Sequence, residues 1–138
     1  MIIHFDGACA PRNPGGYAAW GFQADDEEGH VVRRFGYIGN DPGVTNNFAE
    51  WTALIEALTW CMENNVLEVD VFGDSQLVIR QMTGAWECRD NMMAFLQGKA
   101  RDIVQRRNMT AVFNWQRRRF NEADSLSRFG LAVGISES

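Results

Sequence analysis

An α/β fold on a five-stranded mixed sheet is predicted by three observations. The first 38 residues read as three strands joined by turns. Strand and helix patterns alternate through the rest of the chain. The composition, 46% hydrophobic and 12% aromatic over 138 residues, is that of a globular chain able to bury its own core. No internal repeat or Pro/Ser-rich linker divides the sequence, so residues 1–138 are expected to form a single domain.

The first strand runs over Met1–Asp6, where Ile3 and Phe5 alternate with His4 and Asp6. The loop Arg12–Gly16 leads to a second strand over Tyr17–Ala24. The polar tip Asp25–Gly29 turns the chain into a third, His30–Ile38, which completes an antiparallel meander. A long helix is expected from about Asn47 to Asn64, with Phe48, Trp51, Ile55, Leu58 and Met62 at helical spacing. Val66–Phe72 reads as a strand, and Ser75–Met82 as a short helix stopped by Thr83-Gly84. Asn91–Arg107 is a further helix through Met92, Phe95, Leu96, Ala100, Ile103 and Val104. Thr110–Trp115 is the last strand and Asn121 to about Val133 the closing helix. The two later strands follow helical connections, so each is expected to run parallel to its neighbour.

Charge is divided along the chain. Residues 1–74 carry 12 acidic and 3 basic side chains, whereas residues 75–128 carry 10 basic and 5 acidic, within a net charge of −5. An acidic half beside a basic half suits a cation site next to a phosphate-binding surface. The 3 cysteines are scattered and the 2 histidines lie apart, which excludes a zinc site and a disulfide framework. There is no signal-peptide pattern and no apolar run near the ~20 residues that span a bilayer. A cytoplasmic, monomeric protein without membrane attachment is expected.

Four carboxylates stand out, and each has an innocent explanation. Asp6 precedes Gly7 as a turn aspartate would. Glu50 follows Asn47 by three, the spacing of a capping box. Asp74 stands where a residue capping the short helix is needed, and Asp124 lies in a helix's first turn, where an acid is favoured. Their placement is less innocent. Asp6 and Asp74 are expected at the ends of central strands, where open α/β sheets bind ligands, and Glu50 and Asp124 enter from helix starts. Four converging acids need cations, and ligands offering oxygen alone select a hard ion, Mg2+ with Mn2+ able to substitute. Two such ions about 3.5–4 Å apart suit in-line phosphodiester displacement. Asp6, Glu50 and Asp74 are assigned as core ligands and Asp124 as a more mobile fourth.

These acids lie in phrases that resemble the type 1 ribonuclease H family over nearly the whole chain. Asp6-Gly7-Ala8-Cys9 with Asn13-Pro14-Gly15-Gly16 is similar to the family's first strand and glycine-rich loop. Thr45-Asn46-Asn47-Phe48-Ala49-Glu50 resembles its T-N-N-x-x-E helix opening, and Asp74-Ser75-Gln76 its D-S-Q segment. Asn121-Glu122-Ala123-Asp124-Ser125-Leu126 looks like its closing motif with one residue fewer in the spacing. The resemblance implies a ribonuclease H-like fold. It also implies hydrolysis of RNA in RNA–DNA hybrids to 3′-hydroxyl and 5′-phosphate ends, with Asp6, Glu50, Asp74 and Asp124 catalytic and metal-binding. It further implies hybrid contacts through Asn13, Asn46, Asn47 and Gln76, and through the backbone near Cys9 and Ala10.

The chain departs from the pattern in three places. The basic, tryptophan-rich insertion of some members is missing, which shifts the burden of affinity to Arg80, Arg89, Lys99 and Arg101. Trp115–Phe120 replaces the loop histidine, as in the family's shorter form, and Arg117, Arg118 and Arg119 are read as phosphate contacts. Ala8 stands where a small hydroxyl residue is common. Two other readings fit the same fold, a nucleic-acid-binding module with weak catalysis and a metal-dependent nuclease acting on another substrate.

Overall fold

The structure is a computed structural model that describes residues 1–137. Its strands are β1 (Ile2–Ala10), β2 (Tyr17–Asp25), β3 (Val31–Gly39), β4 (Glu68–Gly73) and β5 (Thr110–Trp115). Its helices are α1 (Asn46–Glu63), α2 (Gln76–Thr83), α3 (Asn91–Arg106) and α4 (Asp124–Glu137), with a 3-10 turn at Arg118–Phe120. The sheet order is β3-β2-β1-β4-β5, antiparallel from β1 to β3 and parallel through β1, β4 and β5. The five-stranded mixed sheet expected from the sequence is present.

β1 is longer than the alternation at its start suggests. It continues past Asp6 to Ala10 because β2 pairs with it along its whole length, from Ile2 opposite Asp25 to Ala10 opposite Tyr17. Its parallel partner stops earlier, at Phe5 opposite Gly73. Asp6 therefore does not end its strand. It is the first β1 residue beyond the end of β4, and the crevice opens on that side.

Side-chain alternation then sorts the two faces of β1. Ile3 and Phe5 are fully buried with Phe22, Trp51, Leu54, Leu58 and Val71 in the core beneath α1. Asp6 points to the opposite face, which α4 covers. That helix lies so close that a Cβ on Gly21, the residue opposite Asp6, would sit 2.7 Å from the Ser127 backbone nitrogen.

α1 differs from its expected form in start and orientation. Thr45 is its cap, accepting from the Phe48 amide at 3.1 Å, so the helix opens at Asn46. Its buried stripe runs through Trp51, Leu54, Leu58 and Cys61 with Ala49, Ala53 and Ala57, leaving Phe48, Ile55 and Met62 half-buried at the flank. The alanines let the helix backbone approach the sheet, which turns its small-residue face inward. At its far end the Val66 amide donates to the Cys61 carbonyl at 2.9 Å, so Val66 closes the helix and β4 begins only at Glu68. α3 buries only Leu96 and Ala100 fully, with Met92 and Phe95 exposed. α4 continues past Val133 to Glu137, with Gly134 against the Tyr37 ring. No helix among the described residues is long and apolar enough to cross a membrane.

Candidate active site

Asp6, Glu50 and Asp74 each offer a carboxylate oxygen within 4.8 Å of the other two. Three structural decisions place them. The end of β4 exposes Asp6 on one side. Gly7 then allows α1 to touch the strand, because a Cβ there would lie 2.2 Å from the Ala49 carbonyl carbon and 2.3 Å from the Glu50 nitrogen. No side chain fits that gap, so glycine is required at the contact. Glu50 is brought beside Asp6 by that approach. Asp74, just after β4, completes the group.

The innocent explanations for Glu50 and Asp74 fail on geometry. With Thr45 as cap, Glu50 is the fifth residue of α1, too far along to close a capping box, and it is only 1% exposed. Ser75 caps α2 by accepting from the Val78 amide at 3.2 Å, which leaves the Asp74 side chain unused for that purpose. Asp124 does open α4, where an acid meets the positive end of the helix.

The cluster is costly as it stands. Asp6 is 2% exposed, and its carboxyl is pushed up to about 7 by burial first and then by the charge of Asp74, against the hydrogen bond from Ser127. Glu50 is raised well above the usual carboxylate range by burial, and next by Asp6 and Asp74. Asp6 Oδ1 and Glu50 Oε2 are buried, and among the described residues no donor reaches either, so that only a proton shared between the two carboxyls could bond them. Buried carboxylate oxygens are rarely left so unless something else satisfies them. The donor set is all oxygen, and it fits a hard divalent cation.

Neutral and basic groups frame the acids. Asn121 donates from Nδ2 to Asp74 Oδ2 at 3.0 Å and to the Phe5 carbonyl at 2.9 Å, and its Oδ1 accepts from the Ala123 amide at 3.0 Å. It ties β1, Asp74 and the start of α4 together. Arg118 Nε lies 4.0 Å from Asp74 Oδ2 and 3.8 Å from Asp124 Oδ1, and Arg128 pairs with Asp124 Oδ2 at 3.3 Å. The Asp124 side chain is 27% exposed against 8% for Asp74, so it borders the cluster rather than lying within it. A cleft of about 340 Å³ opens beside the acids, lined by Asp6, Cys9, Asn46, Arg118 and Asp124 among others, with the fully buried Ser127 behind its wall.

The other expected contact residues divide. Asn46 and Cys9 line the cleft, and Cys9 Sγ donates to the Arg12 carbonyl at 3.1 Å. Asn13 Oδ1 accepts from the Asn46 amide at 2.9 Å, holding the glycine-rich loop to the start of α1. Asn47 is half-buried and Gln76 exposed, and neither side chain hydrogen-bonds among the described residues. Of the three arginines only Arg118 faces the acids, while Arg119 lies over the Phe120 ring at 4.7 Å.

Residues 4–130 match the family described as Reverse transcriptase-like. The sequence is 34% identical over 129 residues to ribonuclease HI of Halobacterium salinarum, covering 93% of this chain and 62% of that protein. LC11 ribonuclease H1, solved in complex with an RNA/DNA hybrid, shares 34% identity and a TM-score of 0.86 over 97% of this chain and 98% of its own. The chain belongs to the type 1 ribonuclease H family. The solved ribonuclease H1 of Halobacterium salinarum agrees, at 32% identity and TM-score 0.84 over 96% of this chain and 97% of that one. Against the curated relatives the chain spans 43% to 62% of their length.

Within this ribonuclease H fold, sequence reasoning passed over Gly7, Asn121, Ser127 and Arg128 as site residues. Asn121 was visible as a helix opener, but its bonds to Asp74 and Phe5 span 47 and 116 residues, beyond any local pattern. Ser127 and Arg128 stand three and four positions after Asp124, spacing that puts all three on one face of α4. A second grouping, Asp26, Glu28 and His30, sits on the exposed β2–β3 turn. There the Glu28 and His30 amides donate to Asp26 Oδ1 at 2.9 and 2.8 Å, an ordinary aspartate turn.

Proposed function

We propose that this chain is an endoribonuclease that hydrolyses the RNA strand of RNA–DNA hybrids, leaving 3′-hydroxyl and 5′-phosphate ends. The observation that carries the reading is the convergence of the buried Asp6 and Glu50 with the half-buried Asp74 on the crevice beside β1, where two carboxylate oxygens meet no donor among the described residues. Asp6, Glu50 and Asp74 would hold divalent metal, Mg2+ or in its place Mn2+, with Asp124 as the more exposed fourth ligand. When bound, the metal supplies the positive charge the cluster needs, and Lewis-acid activation for displacement by water at phosphorus.

The residues of the chain do the rest. Asp74 is held by the Asn121 amide, so its free oxygen has a fixed direction. Arg118, with 61% of its side chain exposed beside Asp74 and Asp124, can turn to a phosphate entering the cleft, as can the more distant Arg117 and Arg119. Asn46 and the backbone near Cys9 line the route by which an RNA strand reaches Asp6, and Asn13 steadies that wall. Asn47 and Gln76 keep unpaired amides that can donate and accept to 2′-hydroxyls and base edges in a minor groove. The hybrid bound to LC11 ribonuclease H1 supports this choice of substrate.

The test is cleavage of labelled RNA–DNA hybrid, double-stranded RNA and double-stranded DNA in Mg2+, Mn2+ and EDTA. Cutting of the hybrid alone, lost in EDTA, is the expected result. Equal cutting of double-stranded RNA would refute hybrid specificity, and activity surviving EDTA would refute the metal assignment.

A further inference from the structure

Ser127 is wholly buried, and its hydroxyl lies 2.5 Å from Asp6 Oδ2. A helical serine ordinarily returns its proton to a carbonyl of the preceding turn, and the Asp124 carbonyl stands ready at 3.0 Å. A hydroxyl carries one proton, and a carboxylate is a stronger acceptor for it than a backbone carbonyl. The two oxygens of Asp6 are therefore unlike. Oδ2 is anchored to α4, whereas Oδ1 is buried with no donor among the described residues.

This matters because an aspartate's terminal torsion is soft. Facing Glu50 and Asp74, an unanchored carboxylate gains by rotating away from the like charges. The anchor is itself rigid, since the backbone of α4 at Ser127 is pressed against β2 at Gly21 rather than carried on a loop.

We infer that Ser127 is a positioning residue: it fixes the Asp6 carboxylate with Oδ1 turned to a divalent cation, and so sets cation affinity without touching nucleic acid. The inference rests on the metal-site reading of the acidic cluster given above. Anchors of this kind behind a ligand typically change metal affinity by roughly tenfold or more when removed.

The experiment titrates Mn2+ into the full chain, following loss of the free-ion paramagnetic resonance signal, for wild type, Ser127→Ala and Asp6→Asn. Melting temperatures without metal, and hybrid KM and kcat across a metal series, accompany it. Ser127→Ala is expected to raise the Mn2+ dissociation constant roughly tenfold. Its KM for hybrid at saturating metal should match wild type, and its kcat should recover as metal is raised. A Ser127→Ala affinity within twofold of wild type, or tighter, while Asp6→Asn binds weakly, overturns the inference alone. A fall in metal-free melting temperature with unchanged affinity does the same, since that is what a purely structural serine would give. If Asp6→Asn also binds Mn2+ like wild type, the metal-site reading falls and this inference with it.

Discussion

Replacing Asp6 by Asn removes a charge from a cluster that is repulsive without cations, so function and stability should move in opposite directions. Asp6→Asn and Asp74→Asn are each expected to abolish hybrid cleavage while leaving the metal-free fold intact or firmer, checked by a cleavage assay and urea unfolding in EDTA. Asp124→Asn should lose less, particularly in Mn2+, because that acid borders the cluster from an exposed position. The raised carboxyl of Asp6 also fixes a sign. Between the ordinary aspartate range and about pH 7 the folded chain keeps a proton that the unfolded chain has released. Metal-free stability should therefore fall as pH rises from 5 through about 7, by on the order of a few kcal/mol. Glu50 shifts in the same direction. Urea midpoints at pH 5 and 8 test this, and the slope should flatten in Asp6→Asn. Sequence alone offered each acid a harmless local role. What exposed Glu50 and Asp74 was the finding that Thr45 and Ser75 already fill the capping positions. Ser127 was illegible for the opposite reason, since a serine within a helix carries no signal until its distant acceptor is seen.

At the scale of elements, two contacts set the site. Thr45→Ala should cost about 1 kcal/mol through loss of the α1 cap, whereas Asn47→Ala should cost a few tenths at most, a comparison chemical denaturation can make directly. Gly7→Ala should cost more, roughly 2 kcal/mol or above, because its new carbon would meet α1 backbone rather than a side chain able to move. Activity should fall further than stability there, since the displaced helix carries Glu50. Element identity and order were legible because alternation and helical spacing are strong over nine-residue strands and long helices. The face of α1 was less so. Large residues drew the expected stripe to Phe48, Ile55 and Met62, while close packing favoured the side bearing Ala49, Ala53 and Ala57. The length of β1 was hidden too, because a strand's continuation past Asp6 depends on β2.

For the whole molecule, the division of charge survives folding as an acidic crevice with arginines at its rim. Few of these face the cleft, so hybrid affinity should weaken with salt along a logarithmic slope no steeper than about −3, measured by fluorescence anisotropy of an uncleaved hybrid in Ca2+. The convergence of the acids was foreseeable from topology, because β1 and β4 are adjacent and parallel and their ends open on one crevice. Its tightness was not, because it depends on backbone approaches at Gly7 and Gly21 that leave no mark in a residue pattern. The bond from Ser127 to Asp6 joins positions 121 residues apart. Closing a loop of that span costs chain entropy, which the docking of α4 must offset. A chain with α4 undocked would keep the strand that bears Asp6 but lose the hydroxyl that steadies it. Cation binding should therefore weaken whenever the last helix leaves the sheet, which couples the acidic crevice to the docking of that helix.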